Sequence, residues 1–329
     1  MGKKMDKSKE QIQLEKKLNG SVRMLSKSTL ESLGLAGIQE DDNVFFLGNN
    51  LYLKLYSLKK PALGDIRTQF VQKLMDATEN RVRISTFHRN KDNKQSVYSF
   101  LSVYIEAVCY VDAKVQYEHM DDLLIRQQGC GLGIGIKSCS IDDVLMFIHM
   151  NGAGDMIRFE HNSMMGRRDN WKTILLPEIE DMEEGTFKCG ERYGFCLSGK
   201  IIPFVKNDIN AILYQREGIV QTAIDLQRVQ PEEEKLFRFE LGKRYNTILE
   251  ESKFALINMS YMVSFLSDSK TTRDQQRAYI EMEYDKRNFL MMPGARKEND
   301  IFCSICSLGI FNYHVMQNTY PSIAASLLL

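Results

Sequence analysis

Leu51, Leu53 and Leu55 alternate with Tyr52, Lys54 and Tyr56, a period of two that marks a strand with one leucine face. The run 44–47, the turn Gly48-Asn49-Asn50 and the run 51–58 therefore read as a β-hairpin. Pro61 follows and opens a helix over 62–78, where Ile66, Phe70 and Leu74 recur at helical spacing. The pattern then predicts a strand over 81–87, a polar loop over 90–96 and a long aromatic and β-branched strand over 98–111. A helix over 116–128 ends at Gly129, a small-residue strand covers 132–136, and Ser140 caps a helix over 141–150. Asp142 and Asp143 favour that helix from its first turn.

Periodicity fades over 155–184, which ends in the acidic stretch 178–184, and then restarts in the same order. A hairpin 185–188 and 192–201 turns about Gly190, and Pro203 opens a helix bearing Phe204, Ile209, Ile212 and Leu213. A strand over 219–226 precedes a long helix from Pro231 to about 253, with Phe237, Leu241, Tyr245 and Ile248 on its buried side. A strand over 254–265, a helix over 273–291 capped by Thr272 and stopped at Pro293-Gly294, and a strand over 300–308 complete the reading. Gly48, Leu55 and Pro61 return 142 residues later as Gly190, Leu197 and Pro203. The shared order predicts an α+β protein of two tandem ferredoxin-like (split β-α-β) units, each with an antiparallel sheet and helices on one face. The units span 39–154 and 185–329, behind a basic polar tail at 1–38 and joined by an acidic connector at 155–184.

Charge changes this picture little. Lys and Arg total 43, as do Asp and Glu, so the chain has no bulk charge to coat nucleic acid. Apolar residues at 43% with 26% charged residues suit a folded protein. Seven irregularly spaced cysteines, no apolar leader and no run of about 18 apolar residues point to a reduced, cytoplasmic protein. The lysines of the tail (Lys3, Lys4, Lys7, Lys9, Lys16, Lys17) add an expected peripheral contact with the inner face of the cell membrane.

Three stretches invite a chemical reading. Gly131, Gly133, Gly135, Lys137 and Ser138 resemble a phosphate loop, but Ile136 separates Gly135 from Lys137 and breaks the G-x-x-x-x-G-K-[ST] spacing. Close-packed strand glycines are the simpler account. Cys303 and Cys306 form one C-x-x-C with only His314 nearby as a further metal ligand, which leaves a zinc site short. On a strand the two thiols point to opposite faces. Arg167, Arg168 and Trp171 are candidates for a docking surface, with packing between the halves as the alternative for Trp171. No catalytic residue, cofactor or metal emerges from these patterns. Two alternatives stay open: a nucleotide- or phosphate-binding enzyme using 129–138, and an RNA- or ssDNA-binding module stacking bases on Tyr52, Tyr56 and Tyr104 of a sheet face.

Three other stretches carry a resemblance. They are Asn170-Trp171-Lys172 through Leu176-Pro177-Glu178 to Gly190, Tyr193–Leu197 and Ile202-Pro203; then Phe289 to Pro293-Gly294; then Pro321 to Leu329. Together they resemble the N-terminal region of the conjugation and type IV secretion ATPases of the TraC/TrbE/CagE type, in the form carried by mobile elements of Gram-positive bacteria. The resemblance covers most of 40–329. It implies a non-catalytic platform that binds inner-membrane secretion subunits and the ATPase motor domain during DNA transfer, with self-association as a further option. The motor with its P-loop does not occur in this sequence, so ATPase activity is not expected of this chain. The third stretch looks like the connector that leads to that motor.

Overall fold

The computed structural model describes residues 23–24, 34–59, 64–91, 94–165, 171–182, 185–201, 213, 217–236, 256–287, 289–293, 298–306, 308 and 316–328. The strands are β1 (Arg23–Met24), β2 (Gly37–Gln39), β3 (Val44–Gly48), β4 (Leu51–Leu58), β5 (Val82–Lys91), β6 (Lys94–Glu106) and β7 (Ile136–Ser138) in the first half. The second half has β8 (Ile179–Asp181), β9 (Thr186–Cys189), β10 (Arg192–Ile201), β11 (Gly218–Arg228), β12 (Ile257–Ser267), β13 (Phe289–Pro293) and β14 (Gln317–Thr319). The helices are α1 (Gly64–Ala77), α2 (Tyr110–Asp121), α3 (Ile141–Ala153), α4 (His161–Met165), α5 (Trp171–Leu175), α6 (Lys270–Asp285), α7 (Glu298–Cys306) and α8 (Pro321–Leu327).

All fourteen strands join one sheet, in the order β1-β2-β3-β4-β6-β5-β11-β12-β10-β9-β8, with β7 on β4, β13 on β10 and β14 on β12. The order is palindromic about the β5/β11 seam. Outward from the seam, each half gives the next strand in the chain (β6 or β12) and then a long strand (β4 or β10). The far edge of that long strand is shared by two short ones. β3 covers the first part of β4 and β7 its end. β9 and β13 divide β10 in the same way. The described pairings are antiparallel throughout, and the seam runs in register from Gly218↔Asn90 to Leu226↔Val82.

Alternation along the strands sends side chains into two cores. Tyr52, Tyr56, Val220 and Ile224 point to one face, which α1, α2, α6 and α8 cover with Phe70, Leu74, Tyr117, Ile280 and Ile323. Leu53, Leu55, Ile219 and Ala223 point to the other, covered by α3, α5 and α7 with Phe147, Trp171 and Phe302. Helices thus lie on both faces, where the sequence pattern predicts one. Tyr52, Tyr56 and Tyr104, expected on a base-stacking surface, are all buried.

The hairpins 44–58 and 186–201 fold as predicted, as do α1 and α3. Ser140 caps α3 through a reciprocal bond pair with Asp143, and Gly154 ends it in the left-handed conformation. The acidic stretch contains the short edge strand β8, paired with β9.

Four predicted elements differ. The polar loop at 90–96 is the tip of the β5–β6 hairpin, paired as Asn90↔Gln95 and Lys91↔Lys94. Its strands project past the core, so polar residues mask their periodicity. The strand expected to reach Val111 ends at Glu106, and Tyr110 enters α2. Tyr110, Ala113, Tyr117 and Met120 are its buried face, a helical spacing that outweighs the local β propensity. The helix expected to reach 291 stops at Asp285, and 289–293 is β13. Its cap is Ser269, whose side chain accepts from the Thr272 amide. Finally, 300–306 is not a strand but belongs to α7: Ile301, Phe302, Ile305 and Cys306 are one helical face. A short, uniformly apolar run carries no period to separate buried strand from buried helix. The helix predicted after Pro203 lies outside the described residues except for Leu213, which is buried. The helix from Pro231 is described only as far as 236, so its buried-face residues lie outside as well.

Candidate functional site

The glycine stretch adopts a backbone that its sequence requires. Gln128, Gly129, Cys130 and Gly131 have consecutive positive φ values of 49°, 68°, 58° and 76°, a left-handed turn that non-glycine residues rarely adopt. A Cβ on Gly129 would meet that of Ile134 at 2.7 Å. The turn, followed by Gly133 at φ 71°, takes the place of the predicted strand over 132–135, and the strand formed is Ile136–Ser138. A phosphate cradle needs backbone N–H groups aimed outward. Here Gly131 donates to Gln127 O (2.7 Å), Leu132 to Gly129 O (3.2 Å) and Ile134 to Gln128 O (2.9 Å). Lys137 and Ser138 are exposed in β7 and pair through their backbones with Ser57 and Tyr56. Gly135 packs against the Lys59 side chain. The loop satisfies itself and redirects the chain from α2 to the edge of β4.

Cys303 and Cys306 lie on α7, three residues apart and so on neighbouring positions of one flank rather than on opposite strand faces. Both are buried, as are all seven cysteines, which are thiols. Burial raises the Cys306 thiol far above its ordinary pKa, with added repulsion from Cys189, Cys303 and Cys196. Burial pushes Cys189 up to about 12. Such thiols are protonated and unreactive at neutral pH. Among the described residues no group of three or more His, Cys, Asp or Glu is arranged to hold a metal ion. His314 lies outside the described residues.

Trp171 is 2% exposed, and its Nε1 donates to Met164 O at 3.3 Å. It is core rather than docking surface; its two arginine companions, Arg167 and Arg168, lie outside the described residues.

A polar cluster in the first half joins residues too far apart in the chain for any local pattern to mark it. Beneath α2, Lys54 Nζ reaches Asp121 Oδ2 at 2.7 Å and Tyr56 Oη donates to Asp121 Oδ1 at 2.8 Å. Two to three turns toward the start of the helix, Tyr110 Oη donates to Asp42, and Lys114 Nζ lies 3.0 Å from its Oδ2. Burial would raise the Asp42 pKa, but the bonds from Tyr110 and Lys114 win and lower it. Burial, then the Asp121 charge, lifts Tyr56 well above the usual phenol range. Each phenol thus remains a hydrogen-bond donor at physiological pH. The cluster anchors α2 to β4 and to the turn between β2 and β3.

Two clefts lie at opposite ends of the seam. One, about 270 Å³, is lined by Arg89, Lys91, Arg192, Glu217 and Asp268. Asp155 bridges Arg89 (3.2 Å) and Arg192 (3.5 Å), and Asp268 also meets Arg192 (3.4 Å). The other, about 210 Å³, is lined by Glu79, Arg81 and Glu106.

His88, on β5 opposite Val220, is 1% exposed, and burial lowers its pKa to about 4. An unfolded-state imidazole takes its proton near 6.5, so between those values the unfolded chain binds more protons and stability falls as pH falls. His88 is expected to withdraw about 3 kcal/mol between pH 7 and 4, at about 1.4 kcal/mol per pKa unit. Denaturant unfolding of His88→Leu across that range should show a correspondingly shallower loss; an unchanged slope would exclude this assignment.

Among the described residues no helix is long and apolar enough to cross a membrane. No family model matches the sequence, and no curated protein matches it.

Proposed function

We propose that the chain is the docking platform of a conjugative type IV secretion ATPase, built from two tandem ferredoxin-like units. The orders β7-β4-β6-β5 and β13-β10-β12-β11 support the second part. Each is the fourth-first-third-second arrangement of a β-α-β-β-α-β unit. α1 and α2 supply both helices of the first unit and α6 the second helix of the other. The place of its first helix falls in a segment mostly outside the described residues.

The observation that carries the functional reading is that the first two resembling stretches meet at β10: Leu197, within the first stretch, is the register partner of Pro293, in the second. β14, immediately before the third stretch, pairs with β12, and Gln317 Nε2 donates to Gly199 O of β10 at 3.4 Å. The third stretch forms α8 and packs on α1, where buried Arg67 donates to Leu328 O at 2.8 Å. A connector held this way delivers force to the first unit. In this reading the partners are the inner-membrane secretion subunits and the motor domain, and ATP turnover belongs to the motor. Co-expression with the motor domain and those subunits should give co-elution in size-exclusion chromatography. Elution of the chain alone in every combination would refute the reading.

A further inference from the structure

We propose that the outer face of α2 is a docking face for a basic amphipathic helix of a partner protein. The proposal rests on the platform reading and names one of its contact surfaces. Val111 and Val115 lie one turn apart on the side of α2 opposite its buried residues, and Val108 precedes the helix, just before its N-cap Cys109. Their exposures are 38%, 62% and 64%. Single exposed apolar residues are ordinary, whereas an aligned set is informative. Valine is also a mediocre helix former, roughly 0.5 kcal/mol worse than alanine per site, so helix stability does not account for it there.

The duplicated topology supplies an internal control. α6 follows β12 as α2 follows β6, yet it exposes Thr271, Asp274 and Gln275 early in its length and only Met282 as a large apolar residue. The valine face is therefore not a requirement of the shared architecture. Its rim decides the partner's charge. Glu106, Asp112 and Glu118 are exposed around the valines, while Lys114, the one lysine on α2, is engaged by Asp42. An apolar stripe with an acidic border complements a helix that carries an apolar stripe bordered by lysine or arginine.

The test titrates the full-length protein into a fluorescently labelled synthetic helix of about four turns, leucine-faced and lysine-rimmed, at low ionic strength. Binding should be measurable below about 1 mM, weaken as salt rises and fall about tenfold or more in Val111→Ser/Val115→Ser. Serine and valine have similar helix propensity, and a thermal melt checks that the double variant remains folded. Absence of binding, or equal binding by the double variant, overturns the proposal. So does a wild-type dimer that the double variant converts to monomer, because the occupant is then a second copy. Tighter peptide binding after Lys3, Lys4, Lys7, Lys9, Lys16 and Lys17 are changed to glutamine also overturns it, since the chain's own lysine-rich segment is then the occupant. Failure here leaves co-elution with the secretion subunits intact if only the choice of face is wrong. Loss of co-elution with retained, valine-dependent peptide binding rejects the platform reading alone.

Discussion

Asp225→Ala should cost about 3–5 kcal/mol of folding stability, the range for breaking a buried ion pair from one side. Arg83 and Asp225 face each other across the β5/β11 seam, both with fully buried side chains. Arg83 Nε donates to Asp225 Oδ1 at 2.7 Å and a terminal nitrogen to Oδ2 at 3.0 Å. Its other terminal nitrogen reaches Ser304 O of α7 at 2.5 Å, and Ser260 Oγ donates to Asp225 Oδ2 at 3.2 Å. Burial alone would favour loss of the Arg83 proton, but the Asp225 carboxylate outweighs it and raises the pKa, so the guanidinium remains charged. Alanine would leave that charge without its counterion in a water-free layer. Urea denaturation of wild type and variant measures the loss, and a difference below about 1 kcal/mol would contradict the assignment. Arg83→Met/Asp225→Leu should recover most of it, because matched apolar residues remove the desolvation penalty with the pair.

That pair also marks where sequence reading stops. Arg83 and Asp225 lie on segments legible as strands, 81–87 and 219–226, but no local pattern joins them across 142 residues. The hairpins about Gly48 and Gly190 and the capped helix after Ser140 were legible because their signals act within a few residues. The strand and helix periods in both halves were enough to foresee an α+β chain with antiparallel strands. Fusion of the two halves into one sheet was not, because strand order depends on distant edges. α7 was misread because residues 300–308 lack a period, and Cys303 and Cys306 changed their mutual orientation with it. Gly131 and Gly133 read as close-packed strand glycines, but both have positive φ with open space where a Cβ would sit, and which amides remained available depended on bonds such as Ile134 to Gln128. The α2 valines were hidden by the prediction of a strand through Val111; the helical spacing of Tyr110, Ala113, Tyr117 and Met120 was the signal that would have exposed them.

Trp171→Ala should be comparably damaging, about 3–5 kcal/mol, because it deletes a large buried ring and leaves a cavity. Trp171 begins α5, which packs on α3, and shares its core with Met164, Leu175, Leu176 and Phe187. Gly152 of α3 approaches the same place so closely that a Cβ there would lie 2.2 Å from Leu176 Cδ2, so the surroundings have little freedom to rearrange. It is the chain's sole tryptophan, so its emission reports this site alone. The native protein should emit well to the blue of the urea-unfolded chain and resist acrylamide quenching. Trp171→Phe separates packing from recognition. Phenylalanine retains much of the apolar volume and gives up the 3.3 Å bond to Met164 O, so it should lose less stability than alanine and leave partner co-elution unchanged. A red-shifted, readily quenched native emission would show an exposed indole and reject the core assignment. So would a Trp171→Phe protein of wild-type stability that no longer holds its partners, since a core ring acts on binding only through the fold.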